Sequence, residues 1–313
     1  MDNNRAGLKS FLISIYLFLK KRVFGGRGLS RLPFLKNLNF AIEEFLRGKT
    51  PEHTVWRGIR IYLDPFGSLV STFGGTRPFE TDLIESSVKE GNIFVDIGAS
   101  IGWFTLLASR KVGTAGKVYA FEPDPRNLEL LEKNIKTNNA NNIIVVPKAA
   151  SDRAGSHSFF IRGKGQWGRS SFFDPDSDPE RLALPYIKGK DTTGFSEKTE
   201  IEMIKLDDYF KGKKVDVIKI EINGAEALAQ AGMLDLIRAN RDIKIFSKFS
   251  PILVAATGSS PRGYLDVFAG LGLQIFDIDE DAKKLVPMKP AELAEKYNVE
   301  KGNGGDILIT RKI

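Results

Sequence analysis

Short apolar runs alternate with stretches of helical periodicity from residue 76 to the end of the chain. The runs with the length and composition of buried strands are Ile93–Ile97, Lys117–Phe121, Asn142–Ala150, Val215–Ile222 and Ile243–Phe246. Between them, apolar positions recur every three or four residues, as on the buried side of a helix. Because strands that alternate with amphipathic helices form parallel sheets covered on both faces, the pattern predicts an α/β fold with a doubly wound, mostly parallel sheet.

Helices are predicted near Glu80–Lys89, Ile101–Val112 and Asp124–Asn138, the last of which opens on an aspartate that can cap it. Helix and strand segments near Pro261–Ile278 and a terminal strand at Gly305–Lys312 complete the predicted sheet.

The first 75 residues lack this alternation. We interpret residues 1–75 as an N-terminal extension and residues 76–313 as the main domain. Within the extension, an apolar run in Ser10–Phe24 predicts one helix, and a second, short helix is predicted at Leu38–Leu46. Alternating apolar and polar residues in Thr54–Asp64 predict a β-hairpin with a glycine at its turn.

The apolar run in Ser10–Phe24 is too short to cross a bilayer, which needs roughly 20 helical residues. Lys20-Lys21-Arg22 stands where a secretion signal would carry small residues for cleavage. One reading is a helix that lies in the membrane interface with its basic cluster on anionic headgroups. The other is a helix that covers the main domain or a dimer surface. Both readings predict a cytoplasmic protein, and the first adds peripheral membrane contact.

Composition excludes several chemistries. The chain has no cysteine, so disulfides, thiolate metal sites and cysteine nucleophiles are absent, and its two histidines cannot form a multi-histidine zinc site. The net charge of +7 favours acidic partners, but no dense arginine-rich tract indicates nucleic-acid binding. Carboxylate side chains could supply oxygen ligands to a metal ion, but no recognised spacing of these residues requires a metal. No metal site is therefore predicted.

The turn Asp96–Gly102 follows the first buried strand and opens a helix, where doubly wound sheets bind ligands. A dinucleotide fingerprint G-x-G-x-x-G would need glycine where Ser100 and Trp103 stand, and no Walker loop occurs here. The pattern therefore disfavours an NAD-dependent enzyme, and pyrophosphate binding in general.

An acidic residue, Glu122, ends the next strand, where a carboxylate can accept both hydroxyls of a ribose. Asp96 is expected to hold the turn and face a cationic or amine-bearing ligand. A nucleoside that carries an amino-acid tail but no phosphate fits these groups, which indicates S-adenosylmethionine. A tight strand-to-helix turn with a solvated glutamate is the alternative.

These residues also carry a family resemblance. The segments VDIGASIGWFTLLAS, GKVYAFEPDPRNLELLEKNIKTNN, KAASDRAGSHSFFI, IKLDDYF and VDVIKIEINGAE resemble FkbM-type methyltransferases over about residues 76–280. The resemblance implies O-methylation of sugars or hydroxylated natural products, with S-adenosylmethionine as cofactor. Together with Ser100 of the turn, the candidate cofactor residues are Asp96, Gly98, Gly102, Glu122, Ser151 and Asp152.

The chain departs from the family pattern at its polar positions. Where the family has D-V-E-G-A-E, this chain reads Glu221-Ile222-Asn223-Gly224-Ala225-Glu226, and where the family often has E-F-H-P it reads Lys248-Phe249-Ser250-Pro251. Glu221 is the candidate base or acceptor-orienting group, Asn223 can orient a hydroxyl, and Lys248 is a base only if burial lowers its pKa.

The stretch Gly163–Glu197 is a long loop, typical of a binding segment or a disordered one. Within it, Trp167 could stack on a sugar face and Arg169 could bind an acidic group, so both are candidate acceptor-binding residues.

The sequence thus predicts an S-adenosylmethionine-dependent O-methyltransferase that acts on a small-molecule or glycan hydroxyl. The acceptor is a glycolipid if the N-terminal helix touches membrane. Changed polar positions leave a second hypothesis open, a methyltransferase-like protein that has lost catalysis and serves as a binding or scaffold protein.

Overall fold

The computed structural model describes residues 52–63, 77–162, 170, 172 and 195–312. Elements in the first part of the chain are β1 (His53–Trp56), β2 (Ile59–Tyr62), α1 (Pro78–Ser87), β3 (Ile93–Ile97), α2 (Trp103–Val112), β4 (Lys117–Phe121), α3 (Pro125–Thr137), β5 (Ile143–Val146), β6 (Ala149–Ala150) and β7 (Gly155–Arg162). Those that follow are β8 (Phe195–Ile204), α4 (Leu206–Tyr209), β9 (Val217–Ile220), α5 (Glu226–Ala231), α6 (Leu234–Ala239), β10 (Lys244–Phe249), α7 (Pro251–Ala256), α8 (Pro261–Gly270), β11 (Gln274–Asp279), β12 (Lys284–Met288), α9 (Pro290–Lys296) and β13 (Gly305–Thr310).

An eight-stranded sheet with the order β12-β11-β13-β10-β9-β3-β4-β5 forms the centre of the molecule. The five strands from β10 to β5 pair in parallel. Toward the other edge, β13 runs antiparallel to both of its neighbours, and β12 runs antiparallel to β11. The predicted doubly wound, mostly parallel α/β sheet is confirmed, with two reversed strands near one edge.

The predicted strand Asn142–Ala150 is two strands. Its first part, β5, pairs with β4 in the central sheet, whereas β6 pairs with β8 in a separate three-stranded sheet. Pro147 stands between them. Because proline has no N–H to donate to a sheet ladder, it ends the first pairing and lets the chain turn toward the second.

Both faces of the central sheet are buried, which explains why its strands read as continuous apolar runs. One face carries Ile97, Phe121 and Ile220 in the larger core cluster. The opposite face carries Phe94 and Val217, packed in a second cluster under α1 and α2. The Gly98–Gly102 turn, Glu122 and Glu221 directly follow the carboxyl ends of β3, β4 and β9.

The predicted hairpin is confirmed over β1 and β2. Arg57 and Gly58 form its turn with φ of 49° and 77°, the left-handed pair that two-residue hairpin turns require. Asn134 of α3 fixes the hairpin to the domain: its side-chain oxygen accepts the Tyr62 N–H at 2.6 Å, and its amide donates to the carbonyls of Tyr62 and Ile101 at 3.1 and 2.8 Å. The hairpin is thereby tied to the same Asp96–Gly102 turn that was predicted to bind the cofactor.

The predicted helices at Ser10–Phe24 and Leu38–Leu46 lie outside the described residues, and the boundary at residue 75 stays a prediction. Within the described part of the chain, no helix has both the length and the apolarity to cross a membrane.

Candidate functional site

The Asp96–Gly102 turn is held by its backbone. Gly98 and Ala99 donate their N–H groups to the carbonyl of Phe121 at 2.9 and 3.0 Å, so the turn folds over the end of β4. Gly98, Ser100 and Gly102 have φ of 85°, 50° and 99°, in the left-handed region that favours glycine.

Gly98 is also required by packing. A Cβ atom at this position would lie 2.3 Å from the main-chain oxygen of Glu221 and 2.8 Å from a methyl group of Ile222. Glu221 in turn donates its N–H to the carbonyl of Ile97 at 3.0 Å. The turn after β3 and the segment after β9 are therefore in direct backbone contact, which brings the predicted cofactor turn against the first predicted catalytic residue.

Asp96 is buried beneath this turn. Thr105 of α2 donates its hydroxyl to the Asp96 carboxylate at 2.6 Å. Burial raises the pKa of Asp96 to about 6, and the Thr105 hydrogen bond opposes the shift. Asp96 is 2% exposed and holds the turn to α2, and its contact with a cationic or amine-bearing ligand stays a prediction.

Glu122 lies at the end of β4, next to the turn. One carboxylate oxygen accepts the Ser100 N–H at 2.7 Å, and the other accepts the Asp124 N–H at 2.9 Å and the Asn127 amide at 3.3 Å. Burial raises the pKa of Glu122 to about 7. Since a carboxylate offers about four acceptor positions, three protein donors leave capacity for a ligand hydroxyl.

Ser151 and Asp152 follow β6. In the described chain the Ser151 hydroxyl donates to Asp152 at 3.1 Å, and the Ser151 N–H donates to the carbonyl of Ile204 at 3.0 Å. These bonds join neither residue to the Asp96–Gly102 turn, and their cofactor role stays a prediction.

The three predicted catalytic residues share one pocket. A cavity of about 220 Å³ opens at the ends of β9 and β10. Its lining residues are Glu221, Asn223, Glu226, Lys248, Ser250, Ile252, Leu253, Gly302, Asn303 and Gly304. The residues predicted to bind the acceptor, Trp167 and Arg169, lie outside the described residues.

Glu221 is held by two cations that the sequence did not single out. Its Oε2 accepts from Arg77 Nη2 at 2.7 Å and from Lys219 Nζ at 3.2 Å. Burial alone would raise the pKa of Glu221, but Lys219 and Arg77 hold it well below its usual value. A carboxylate so stabilised is a weak base, and the geometry favours its use as a hydrogen-bond acceptor that orients a hydroxyl.

Glu226 shapes the loop that presents Asn223. Its two oxygens accept the N–H groups of Ile222 and Gly224 at 3.0 and 2.8 Å, around an Asn223 with φ of 54°. Burial raises the pKa of Glu226 to about 7. Glu226 therefore fixes the backbone on both sides of Asn223.

Ser170, which the sequence analysis did not single out either, lies between the segment after β4 and the segment after β9. Its carbonyl accepts from the Asn223 amide at 3.2 Å, and its hydroxyl donates to Asp124 at 2.9 Å. Asp124 is also the residue whose N–H donates to Glu122. Ser170 thus links the segment after β9 to the segment after β4.

Among the residues that the structure describes, no group of three or more histidine, aspartate or glutamate side chains is placed to hold a metal ion. The site is built from backbone turns, charged pairs and one polar pocket.

The strand order, with one reversed strand between two strands of the common direction, is that of class I methyltransferases. A sequence profile described as the Methyltransferase FkbM domain matches residues 96–267, which is more than half of the chain. The chain belongs to the FkbM methyltransferase family.

Comparison with individual proteins gives partial matches. The chain is 29% identical over 159 residues to methyltransferase sdnD of Sordaria araneosa, covering 45% of this chain and 60% of that protein. It is 34% identical over 70 residues to a probable cobalt-precorrin-6B C(15)-methyltransferase (decarboxylating) of Sulfurisphaera tokodaii, covering 22% and 36%. The matches thus span from about a third to three fifths of these relatives.

Among solved structures, an FkbM methyltransferase from Methylobacillus flagellatus aligns with a TM-score of 0.39 and 15% identity, over 73% of this chain and 50% of that chain.

S-adenosylmethionine is the cofactor that the family implies. The residues present fit it: the Asp96–Gly102 turn offers backbone beside an open strand end, and Glu122 keeps capacity for a ribose hydroxyl.

We predict that Gly98→Ala disrupts this site and that Gly91→Ala, a matched control, does not. Both glycines have φ near 80°, but a Cβ at Gly91 meets nothing within 4 Å, whereas at Gly98 it meets the Glu221 carbonyl. Gly91→Ala should lower the free energy of unfolding only by the strain of that backbone conformation, about 1–2 kcal/mol. Gly98→Ala should lower it clearly more, because the segment around Glu221 must move to make room for the new Cβ.

Chemical denaturation of both variants measures the difference. Equal losses in the free energy of unfolding would show that the contact between Gly98 and Glu221 is not a tight constraint.

Proposed function

We propose that the protein is an S-adenosylmethionine-dependent O-methyltransferase whose acceptor is a hydroxyl of a sugar, a glycolipid or a similar hydroxylated metabolite. The observation that supports this best is the backbone contact between Gly98 and Glu221, since it puts the cofactor turn and the polar pocket on two sides of one contact. When bound, S-adenosylmethionine supplies an electrophilic methyl group.

The pocket residues have distinct roles in the proposal. Glu221 accepts a hydrogen bond from the acceptor hydroxyl and orients its oxygen. Asn223 and Lys248, which also line the pocket, bind neighbouring polar groups of the acceptor. Methyl transfer requires an in-line approach of the two reacting atoms, and misplacement by about 1 Å can cost roughly a hundredfold in rate.

The pocket favours a neutral acceptor. Two of its three charged side chains are in ion pairs, Glu221 with Arg77 and Lys219, and Lys248 with Asp306 at 3.3 Å. The third, Glu226, accepts two backbone N–H groups. The remaining lining includes uncharged hydrogen-bonding side chains and the apolar side chains of Ile252 and Leu253. Hydroxyls beside a C–H face are the features of a sugar, so this lining supports a sugar over a carboxylate or phosphate ester.

A protein without catalysis is the second candidate. The weak basicity of Glu221 favours it, because Glu221 is the pocket residue that was predicted to act as the base. Binding of the cofactor without turnover of any acceptor would support this binding or scaffold role.

We expect the wild-type protein to release S-adenosylhomocysteine when incubated with S-adenosylmethionine and at least one member of a panel of neutral methyl glycosides. Glu221→Gln should lower kcat/KM for that glycoside by about a hundredfold, because the neutral amide is held differently by Arg77 and Lys219. Glu200→Gln is the control: Glu200 is exposed and bonds Ser156 and Ser158, away from the pocket.

Release with the panel that is no faster than without it, in a protein that binds the cofactor, would contradict the O-methyltransferase proposal for sugars. It would favour the binding or scaffold role.

We further expect the affinity for S-adenosylhomocysteine to depend on pH through Glu122. Its pKa is raised to about 7, so lowering the pH below 7 protonates the carboxylate that is proposed to accept a ribose hydroxyl. Affinity should then fall by up to about tenfold per pH unit. Glu122→Gln should bind more weakly at pH 8 and show little further change down to pH 6. Titration calorimetry of both proteins measures this, and a Glu122→Gln variant with wild-type affinity at pH 8 would remove Glu122 from the ribose site.

Residues 1–50 support a peripheral membrane contact at the cytoplasmic side. Ten of the 46 lysines and arginines but only three of the 39 aspartates and glutamates lie there, so this segment carries the entire net charge of +7. The apolar run of Ser10–Phe24 lies within it. Anionic lipid attracts such segments by about 1 kcal/mol per basic residue near the surface.

In a flotation assay, the full chain should rise with vesicles that contain phosphatidylserine, and a chain lacking residues 1–26 should not. Equal recovery of both in the soluble fraction would overturn the membrane contact.

A further inference from the structure

Four charged side chains form a closed ring behind the acceptor pocket. Arg77 contacts Glu80 at 3.1 Å and Glu221 at 2.7 Å, and Lys219 contacts the same two carboxylates at 3.1 and 3.2 Å. Glu80 is fully buried, and the Lys219 side chain is 1% exposed. Positive and negative charges therefore alternate around the ring.

A further pair of contacts, through Asp306, connects Arg77 of the ring to Lys248 of the pocket. Arg77 Nη1 donates to Asp306 Oδ1 at 2.7 Å, and Lys248 Nζ lies 3.3 Å from the same oxygen. Glu221 and Lys248 both line the pocket, whereas Arg77 does not. Arg77 thus contacts, from behind, one pocket residue directly and the other through Asp306.

The ring leaves the two oxygens of Glu221 in different surroundings. Both cations contact Oε2, and no residue that the structure describes donates a hydrogen bond to Oε1. The Glu221 side chain is 36% exposed, and that exposure is toward the pocket it lines. Oε1 is the oxygen available to a bound molecule.

We propose that Arg77 is a positioning residue for the acceptor: it fixes Glu221 so that Oε1 receives the acceptor hydroxyl, and through Asp306 it fixes Lys248 on the neighbouring wall. This inference rests on the proposed methyltransferase function. Arg77 does not touch the acceptor.

Only arginine can do this at position 77. Two nitrogens of one planar guanidinium reach Glu221 and Asp306 separately, whereas the single ammonium of a lysine is a point charge. Glu221 directly follows β9, and Asp306 lies in β13, 85 residues later. The guanidinium therefore joins two parts of the chain that are far apart in sequence.

The test compares Arg77→Lys with Arg57→Lys. Arg57 forks in the same way between Asp82 and Glu85, at 2.5 and 2.6 Å, but on the surface where the hairpin meets α1. Both substitutions keep the charge and lose the fork. With the methyl glycoside that the wild-type protein methylates fastest, Arg77→Lys should raise the acceptor KM by about tenfold or more, and S-adenosylhomocysteine affinity should change by less than about twofold.

Arg57→Lys should leave both values at the wild-type level. Asp306→Asn, which weakens only the connection to Lys248, is a second variant in case Arg77→Lys does not fold, and it should raise the acceptor KM by a smaller factor. If Arg77→Lys and Asp306→Asn both fold and keep the wild-type KM, or if cofactor affinity falls as much as acceptor affinity, the proposal is overturned.

A second measurement does not depend on turnover. The ¹³C resonance of the Glu221 side-chain carboxyl, assigned by its loss in Glu221→Gln, should not titrate between pH 4 and 8 in the wild-type protein or in Arg57→Lys. In Arg77→Gln, which removes one of the two cations on Oε2 and leaves Lys219, the pKa of this carboxyl should rise, so its titration should move to higher pH than in the wild-type protein. If no glycoside is methylated but the resonance behaves in this way, the proposed function fails and the fixing of Glu221 by Arg77 stands. A resonance that is unchanged in Arg77→Gln overturns the role of Arg77 in either case.

Discussion

The approach of the Gly98 turn to the main chain of Glu221 constrains the rest of the site. Parallel pairing of β3 with β9 places the ends of these strands side by side, and the absence of a side chain at Gly98 lets the two backbones meet. The turn after β3 faces Glu122, and the segment after β9 forms a wall of the polar pocket. A cofactor bound at the turn and an acceptor bound in the pocket would therefore lie close to each other, as group transfer requires.

The charged residues behind the pocket show how the protein keeps an ionised carboxylate at a buried strand end. Burial of an unpaired charge costs several kcal/mol, and Glu221 avoids this cost because Arg77 and Lys219 share its inner oxygen. Burial raises the pKa of Glu80, the other carboxylate of the ring, whereas the pKa of Glu221 is lowered by its two cations. Of the two carboxylates, Glu221 is therefore the one that stays ionised over the wider pH range. Its outer oxygen then has a fixed position and a fixed charge, which suits the orientation of a hydroxyl better than the removal of its proton.

Local patterns predicted the local parts of this structure. The strands that end at Ile97 and Phe121, the hairpin turn at Gly58 and the glycine turn after β3 are read from periodicity and residue type, because each depends on neighbours in the chain. The single strand predicted over Asn142–Ala150 was wrong because Pro147 divides it between two sheets. The contact of Asp96 with Thr105 depends on how α2 packs against β3, and helix packing is not visible in the sequence.

The charged ring could not be predicted for a related reason. Arg77 meets Glu221 across 144 residues and Asp306 across 229, and neither pair shares a motif. Lys219 lies in a strand whose other residues are apolar. Only the fold shows that the buried carboxylate of Glu80 lies beside it. Such contacts depend on strand order and on which strand ends adjoin, which emerge only when the sheet is assembled.

The central claim is that cofactor and acceptor meet at the contact between Gly98 and Glu221. A crystal structure of the protein with S-adenosylhomocysteine tests it most directly. The account predicts density beside the Asp96–Gly102 turn, with a ribose hydroxyl on Glu122 and the sulfur facing the pocket that Glu221 and Lys248 line. Density elsewhere, or a sulfur that points away from that pocket, would contradict it.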